Sequence, residues 1–245
     1  QHPLQRVDQL FGTHSCALTL PVVSILDTST PKCKAMGTPR RFCARRDVAV
    51  CLRGRMSSLI VQAGVTVLLA DFVSGVVHWV EDAYARPGAP LIGQLAEDNL
   101  RHHWRPREFL RKTWIASSWD LLLAGVILVG AALYMGWLSW HVVLFAVLVI
   151  NANQIHKWAH MNSGEVPTTV RWLQKLHVLQ TPRHHGKHHT GSRTTHYCVI
   201  TNFLNPLLEE VMFWSRVERV IERVTGVKRR SEAEELKLLG LVAQP

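Results

Sequence analysis

Two long apolar stretches limit the folds open to this chain. "SSLIVQAGVTVLLADFVSGVVHWV", residues 57–80, carries a single charge, Asp71. About 20 apolar residues in a helix cross a bilayer core. The run therefore predicts a membrane span, with Trp79 as its interfacial anchor. "WDLLLAGVILVGAALYMGWLSWHVVLFAVLVINANQIH", residues 119–156, is too long for one span and too apolar for a soluble helix. Its break at "GWLSWH" predicts two helices, 119–136 and 138–155, joined by a tight turn at the membrane interface. Residues 198–214 contain Pro206, Glu209 and Glu210, too interrupted to span, and read as an interfacial or re-entrant segment. The sequence from Ser215, including "RVERVIERVTGVKRR", reads as an amphipathic surface helix.

The expected fold is an all-α integral membrane protein with three to four membrane helices and a histidine-rich cap on the cytoplasmic side. Residues 1–55 lack sustained periodicity and are rich in Pro, Ser, Thr and Arg. They read as a poorly structured leader or extension, with a composition like that of a transit peptide. Residues 56–225 form the membrane-embedded domain and residues 226–245 a polar C-terminal tail. The net charge of +10 fits nucleic acid, anionic lipid or an acidic partner. The apolar runs exclude a soluble nucleic-acid binder. Five cysteines include no CxxC pair, so no zinc ribbon or thioredoxin motif is present.

Three spans give the histidines a common side. The first run ends near His78, and residues 81–118 stay on that side because no apolar run intervenes. The hairpin leaves and returns, so His156 emerges there too, and residues 157–197 remain. His78, His102, His103, His156, His160 and the cluster at 184–196 thus share one face, while His141 goes to the other. Arg101, Arg105, Arg107, Arg111, Lys112, Arg171, Lys175, Arg183, Lys187 and Arg193 lie on the histidine side, and the hairpin turn has no Lys or Arg. The positive-inside rule makes that side cytoplasmic or stromal. A basic leader on the opposite side disagrees with this.

"NQIHKWAH" sets His156 and His160 at i, i+4, neighbours on one helix face. "RHHGKHH" sets His185, His188 and His189 at helical spacing, with His184 as an alternative to His185. "LRHHWRP" adds His102 and His103. Each motif alone has a plainer reading: a basic tract on lipid phosphate, or a packed interfacial ring. Together these imidazoles are too many for one zinc, which takes four ligands, and they fit two metals. Imidazole suits iron, copper or zinc. The Glu-x-x-His pairs of soluble di-iron bundles are absent.

"ADFVSGVVHW", "NQIHKWAH", "LQKLHVLQTPRHHGKHH" and "HYCVITNFLNPLLE" resemble the Kua (CarF-type) lipid desaturase family, over roughly residues 65–225. That family includes plasmanylethanolamine desaturase and the plastid desaturase of phosphatidylglycerol's palmitoyl chain. The resemblance implies oxygen-dependent desaturation of a lipid-bound chain by two iron ions. It implies His78, His102, His103, His156, His160, His185, His188 and His189 as catalytic metal ligands, with His184 a further metal candidate. His177 precedes the cluster. His196 departs from the family pattern and is an extra ligand or a group that orients one. Asn202 and Asn205 would orient a ligand or a water.

No haem, flavin or iron–sulfur motif is present, so electrons come from an external donor such as cytochrome b5 or ferredoxin. Arg105, Arg107, Arg111 or Lys112 would meet a lipid headgroup phosphate, or snorkel in an interfacial belt. The favoured substrate is plasmanylethanolamine, giving a vinyl ether. The alternatives are an acyl chain of phosphatidylglycerol, another membrane di-metal hydroxylase, a zinc hydrolase, and a non-catalytic regulator of photo-oxidative response. The expected membrane is that of the endoplasmic reticulum, a plastid membrane or the bacterial inner membrane.

Overall fold

The first apolar run lies in helix α1 (Arg45–Ala83) of the computed structural model, which describes residues 45–90 and 93–241. The rest of the expected leader lies outside the described residues. Asp47–Pro245 group into one compact unit, and the described residues contain helices and no strand. Met56–Ala83 of α1 and α4 (Trp114–Tyr134) are each long and apolar enough to cross a membrane. Their outward side chains, such as Ile60, Val61, Leu123 and Ile127, are exposed, as hydrocarbon solvent requires of a span.

Helix α4 begins earlier than the expected residue 119. Thr113 caps it, its side chain accepting from the Ala116 N–H. Gly136 ends the turn after α4 with φ +70°, where the Trp137 N–H donates to Ala132 O at 2.8 Å. A left-handed glycine closing a helix this way permits the sharp reversal. The return helix is not continuous over 138–155. It is α5 (Trp140–Ile150) and α6 (Ala152–His160), bent by 43° at Asn151. Asn151 Nδ2 donates to Val147 O at 2.8 Å and Oδ1 accepts from Trp114 Nε1 at 3.2 Å. A side chain that bonds the carbonyl one turn back competes with the backbone ladder and bends the helix.

The core joins both membrane runs to a distant segment. Ala70, Leu121, Val149, Ala152 and Ile155 pack against Val199 and Ile200. Residues 197–201 are irregular yet buried, so their backbone groups need partners. Asp71, the lone charge of the first run, supplies two: Oδ1 accepts from Ile200 N–H at 2.8 Å and Oδ2 from Thr201 Oγ1 at 2.5 Å. Ser74 Oγ accepts from Val199 N–H at 3.3 Å. Asn205 accepts from Cys198 N–H at 3.0 Å and donates to Cys198 O at 2.8 Å. Gln180 Nε2 donates to the same carbonyl at 2.6 Å. The segment runs so close to α1 that a Cβ on Gly75 would stand 2.6 Å from Cys198 Sγ.

The remaining helices cap the histidine end: α2 (Gly93–Trp104), α3 (Pro106–Leu110), α7 (Thr168–Lys175), α8 (Pro182–His185), α9 (Leu204–Glu210), α10 (Phe213–Thr225) and α11 (Glu232–Leu238). The expected interfacial segment resolves into the buried stretch at 197–201, α9 and the start of α10. The amphipathic helix is present, with Val217 and Ile221 of α10 packed against the cluster of Trp79, Tyr197 and Trp214. Beyond it, Arg230 returns to the end of α1: its N–H donates to Ala83 O and its Nη1 to Asp82 O, each at 2.9 Å.

Asp71→Ala should lower stability by about 1–3 kcal/mol, the order for an orphaned buried donor. Asp71→Asn, which keeps one acceptor, should lose less. Thermal unfolding of the detergent-purified chain checks both.

Candidate metal centre

Four chain segments bring nine side chains into two groups. His102, His156, His160, His185 and His189 form one, and His78, Asp82, His103 and His188 form the other. In each, one donor atom per residue lies within 4.8 Å of all the rest. The local spacing explains the partition. His156 and His160 stand one turn apart on α6, and His78 and Asp82 one turn apart on α1. Neighbouring residues of a helix point about 100° apart. The doublet His102–His103 in the last turn of α2 thus sends one ring to each group. His188 and His189, in the turn after α8, divide the same way. The groups touch: the rings of His78 and His156 have centroids 5.1 Å apart, and those of His103 and His189 5.2 Å.

In the first group, His185 Nε2 lies 2.9 Å from His156 Nε2, 3.0 Å from His160 Nε2 and 2.9 Å from His189 Nε2. His156 and His160 Nε2 are 3.2 Å apart. A neutral imidazole has one ring proton and one lone pair. One proton bridges two nitrogens, so proton sharing cannot satisfy every contact that His185 makes. A shared cation can. Ligands about 2.1 Å from one ion stand about 3.0 Å apart at a right angle, which matches these separations. The donor set therefore fits a bound metal ion.

Backbone carbonyls fix several tautomers. Nδ1 of His78 meets Tyr197 O at 3.1 Å, and Nδ1 of His188 meets Thr195 O at 2.7 Å. His102 Nδ1 meets Asn99 O. A carbonyl only accepts, so each Nδ1 carries the proton and each Nε2 presents a lone pair to its group. In the second group, His103 and His188 Nε2 are 3.1 Å apart, and each is 3.3 Å from Asp82 Oδ2. His78 Nε2 is 3.7 Å from the same oxygen. Asn99 Nδ2 donates to Asp82 Oδ1 at 2.5 Å, leaving Oδ2 for the imidazoles.

Burial holds His102 and His185 well below the usual imidazole range and lowers His103 and His189 as well. Neutral rings facing a carboxylate present lone pairs to lone pairs, again a place for a cation. The outer nitrogens of His103 and His185 find no hydrogen-bond partner among the described residues.

Eight of the nine expected histidines fall within the two groups, and His184 stands outside both. Its Nε2 is 3.3 Å from Asn205 Nδ2, and its ring is 5.4 Å from that of His196. His177 meets Asn202 Nδ2 at 2.9 Å on the surface. Asn202 also accepts from the Thr181 N–H at 3.1 Å, holding the cap of α8. Arg105 and Arg107 pair with Glu108 and Glu165, and Lys112 with Asp98. Asp82 was not singled out as a donor from the sequence. Its i+4 spacing from His78 is the signal that would have found it.

The family described as "Lipid desaturase domain" matches residues 67–232. The chain is similar to a probable fatty acid desaturase of Acanthamoeba polyphaga mimivirus, 33% identical over 69% of this chain and 84% of the viral protein. It is similar to plasmanylethanolamine desaturase 1 of Mus musculus, 33% identical over 67% of this chain and 65% of the mouse protein. It is also similar to the chloroplastic fatty acid desaturase 4-like 2 of Arabidopsis thaliana, 31% identical over 68% of this chain and 61% of the plant protein. The chain thus spans less than two thirds of the mouse and plant proteins. No solved structure matches it.

Loaded with ferrous iron without oxygen, the purified chain should bind about two ions. His185→Ala and His188→Ala, each removing a donor from a different group, should each bind about one fewer. Elemental analysis of folded protein checks this, and unchanged binding in both would contradict it. Unfolded imidazoles take up protons below about pH 6.5, whereas the four rings named above resist protonation. The metal-free chain should therefore keep its stability above that pH. It should lose stability as pH falls through it, by about 1.4 kcal/mol per pH unit for each ring that stays neutral. Melting temperature against pH reads this directly.

Proposed function

This chain belongs to the lipid desaturase family, whose members are oxidoreductases, and on that premise we propose a di-iron, oxygen-dependent desaturase of a lipid chain near its glycerol end. The favoured substrate is a plasmanylethanolamine, converted to the vinyl ether of a plasmalogen. His102, His156, His160, His185 and His189 would hold one iron, and His78, Asp82, His103 and His188 the other. The bound pair would supply the oxygen-derived oxidising power that an unactivated methylene requires.

The depth of the donors carries the substrate reading. His78 and Asp82 lie in the last turns of α1, and His156 and His160 at the end of the bent pair. The groups therefore sit at the end of the spans, where a bilayer places headgroups and the first chain carbons rather than mid-chain methylenes. An alkyl chain's carbons next to the glycerol oxygen reach that level without bending the lipid back on itself.

The chain's own residues supply placement and dryness. A cleft opens between α1 and the α4–α6 hairpin, with Val73, Val77, Leu121 and Val149 on its walls and His78 and His156 in its lining. Methylenes fit such walls and exclude water from the reacting carbons. Overall, two adjacent carbons each give up one hydrogen. One O₂, two electrons and two protons complete the balance as two waters. Cys198 is a buried thiol, and the electrons come from an external carrier of the cytochrome b5 or ferredoxin class. The basic residues on the histidine side favour a cytoplasmic or stromal face for it.

The test is lipid analysis of a host supplied with a 1-O-alkyl phospholipid and expressing the chain or its His188→Ala variant. The expected result is an acid-labile vinyl ether, two hydrogens lighter than the substrate, lost with the variant by at least about a hundredfold. A new double bond in phosphatidylglycerol would select the acyl substrate instead. A product heavier by one oxygen, or no change in either lipid, would contradict the proposal.

A further inference from the structure

Helix α10 has two faces of different chemistry. Trp214, Val217 and Ile221 point inward and pack with Trp79 and Tyr197. At about 100° per residue, Arg216, Arg219, Val220, Arg223 and Val224 fall together on the opposite face, and all five are exposed. The acids of the helix do not offset these arginines. Glu218 turns inward, accepting from Trp79 Nε1 at 2.8 Å and from Arg229 Nη1 at 2.9 Å. Glu222 pairs with Lys228 at 3.4 Å. No described carboxylate pairs with Arg216, Arg219 or Arg223. Arg105, Arg107 and Lys112, at the same end of the molecule, each have such a partner.

The face stands where the spans end. Helix α10 starts beside Phe72 of α1, whose ring is 5.6 Å from that of Phe213. The chain that follows α10 reaches the end of α1, where the Arg230 N–H donates to Ala83 O. Arginine is strongly unfavourable at hydrocarbon depth, so this face belongs to the headgroup level and the water beyond it. Helices that lie in a bilayer segregate Leu, Phe or Trp from their basic residues. Here arginine is interleaved with valine, and arginine is enriched at protein interfaces. An unpaired arginine stripe calls for an acidic partner.

Packed rings lead from the back of this helix to the second donor group. The ring of Trp214 lies 5.0 Å from that of Tyr197, which lies 5.0 Å from His188 and 5.8 Å from His78. Trp214 and Tyr197 are both buried. Electron tunnelling falls off less steeply through packed matter than through water or voids. A redox partner seated on α10 is thus separated from the donors by two rings, a route for which a bilayer surface has no use.

We propose that the outer face of α10 is the docking surface for an acidic one-electron carrier protein. The inference rests on the proposed oxygen-dependent reaction, which takes two electrons from outside, and assigns where they enter. Each docking event oxidises one carrier by one electron and reduces one bound iron from ferric to ferrous, with no bond formed or broken. The arginines steer the carrier and fix its orientation, and Val220 and Val224 give the contact a dry centre.

The test measures carrier binding rather than turnover. The purified full chain in nanodiscs of zwitterionic lipid is titrated with two acidic probes, the haem domain of a cytochrome b5 and a plant-type ferredoxin. At least one should bind, more weakly as salt rises. Arg216→Glu, Arg219→Glu and Arg223→Glu combined should weaken that binding by about tenfold or more. Lys175→Glu, an exposed change on α7, should alter it by less than about twofold. If the triple variant fails to fold, Arg219→Gln and Arg223→Gln should each weaken binding by about threefold on their own. Absence of binding by both probes, equal affinity of native and charge-reversed chains, or an equal loss with Lys175→Glu would each overturn the proposal. Loss of co-purifying anionic lipid from the triple variant, with carrier affinity unchanged, would give the face to the bilayer and overturn it too. Carrier binding at these arginines without any new double bond in a lipid would leave the surface standing and sink the proposed reaction. A lipid product formed with a carrier that ignores the three charges would do the reverse.

Discussion

Lone pairs that converge in a space without water repel one another unless something positive lies between them. That constraint governs this molecule. His185 Nε2 faces three other imidazole nitrogens within 3.0 Å, and Asp82 Oδ2 faces three imidazole nitrogens within 3.7 Å. Carbonyls behind His78, His102 and His188 keep their protons pointing outward. The fold thus holds its donors in the ionisation state and orientation that a metal needs, and the energy of holding them there is offset when a cation binds.

The membrane spans are the frame for that arrangement. Asp71 sits at a depth where an unpaired carboxylate would be strongly unfavourable. It pairs instead with the backbone and hydroxyl of residues 200 and 201. This anchors the irregular segment 197–201 against α1, and the same segment offers the Tyr197 carbonyl to His78. One buried acid in the span is therefore linked, through a few residues of extended chain, to the tautomer of a donor two turns further along the helix. The bend at Asn151 has the companion role on the hairpin, directing α6 and its two histidines into the shared site.

Much of this was legible in the sequence because it depends on periodicity and sidedness. The spans follow from apolar run length, and the gathering of histidines follows from counting crossings. The i, i+4 pairs follow from helix geometry. Three features were hidden for physical reasons. Asp82 looks like any acid at a membrane edge until folding sets His103 and His188 beside it. Asn151 ends the apolar run, but a polar residue there reads equally as the end of a span, and the bend depends on bonds to Val147 and Trp114 that the local sequence does not show. His184 has the spacing of a donor, but its place in α8 directs its ring to Asn205. Spacing gives candidates, and only the tertiary turn decides between adjacent rings.

The central claim is that imidazole nitrogens from four separate segments surround iron at one end of the spans. Iron K-edge X-ray absorption on the purified, iron-loaded chain tests it most directly. The account predicts nitrogen and oxygen neighbours at about 2.1 Å, with strong outer-shell scattering from imidazole rings and no sulfur neighbour. Bound iron lacking the imidazole signature, or surrounded by sulfur, would contradict it.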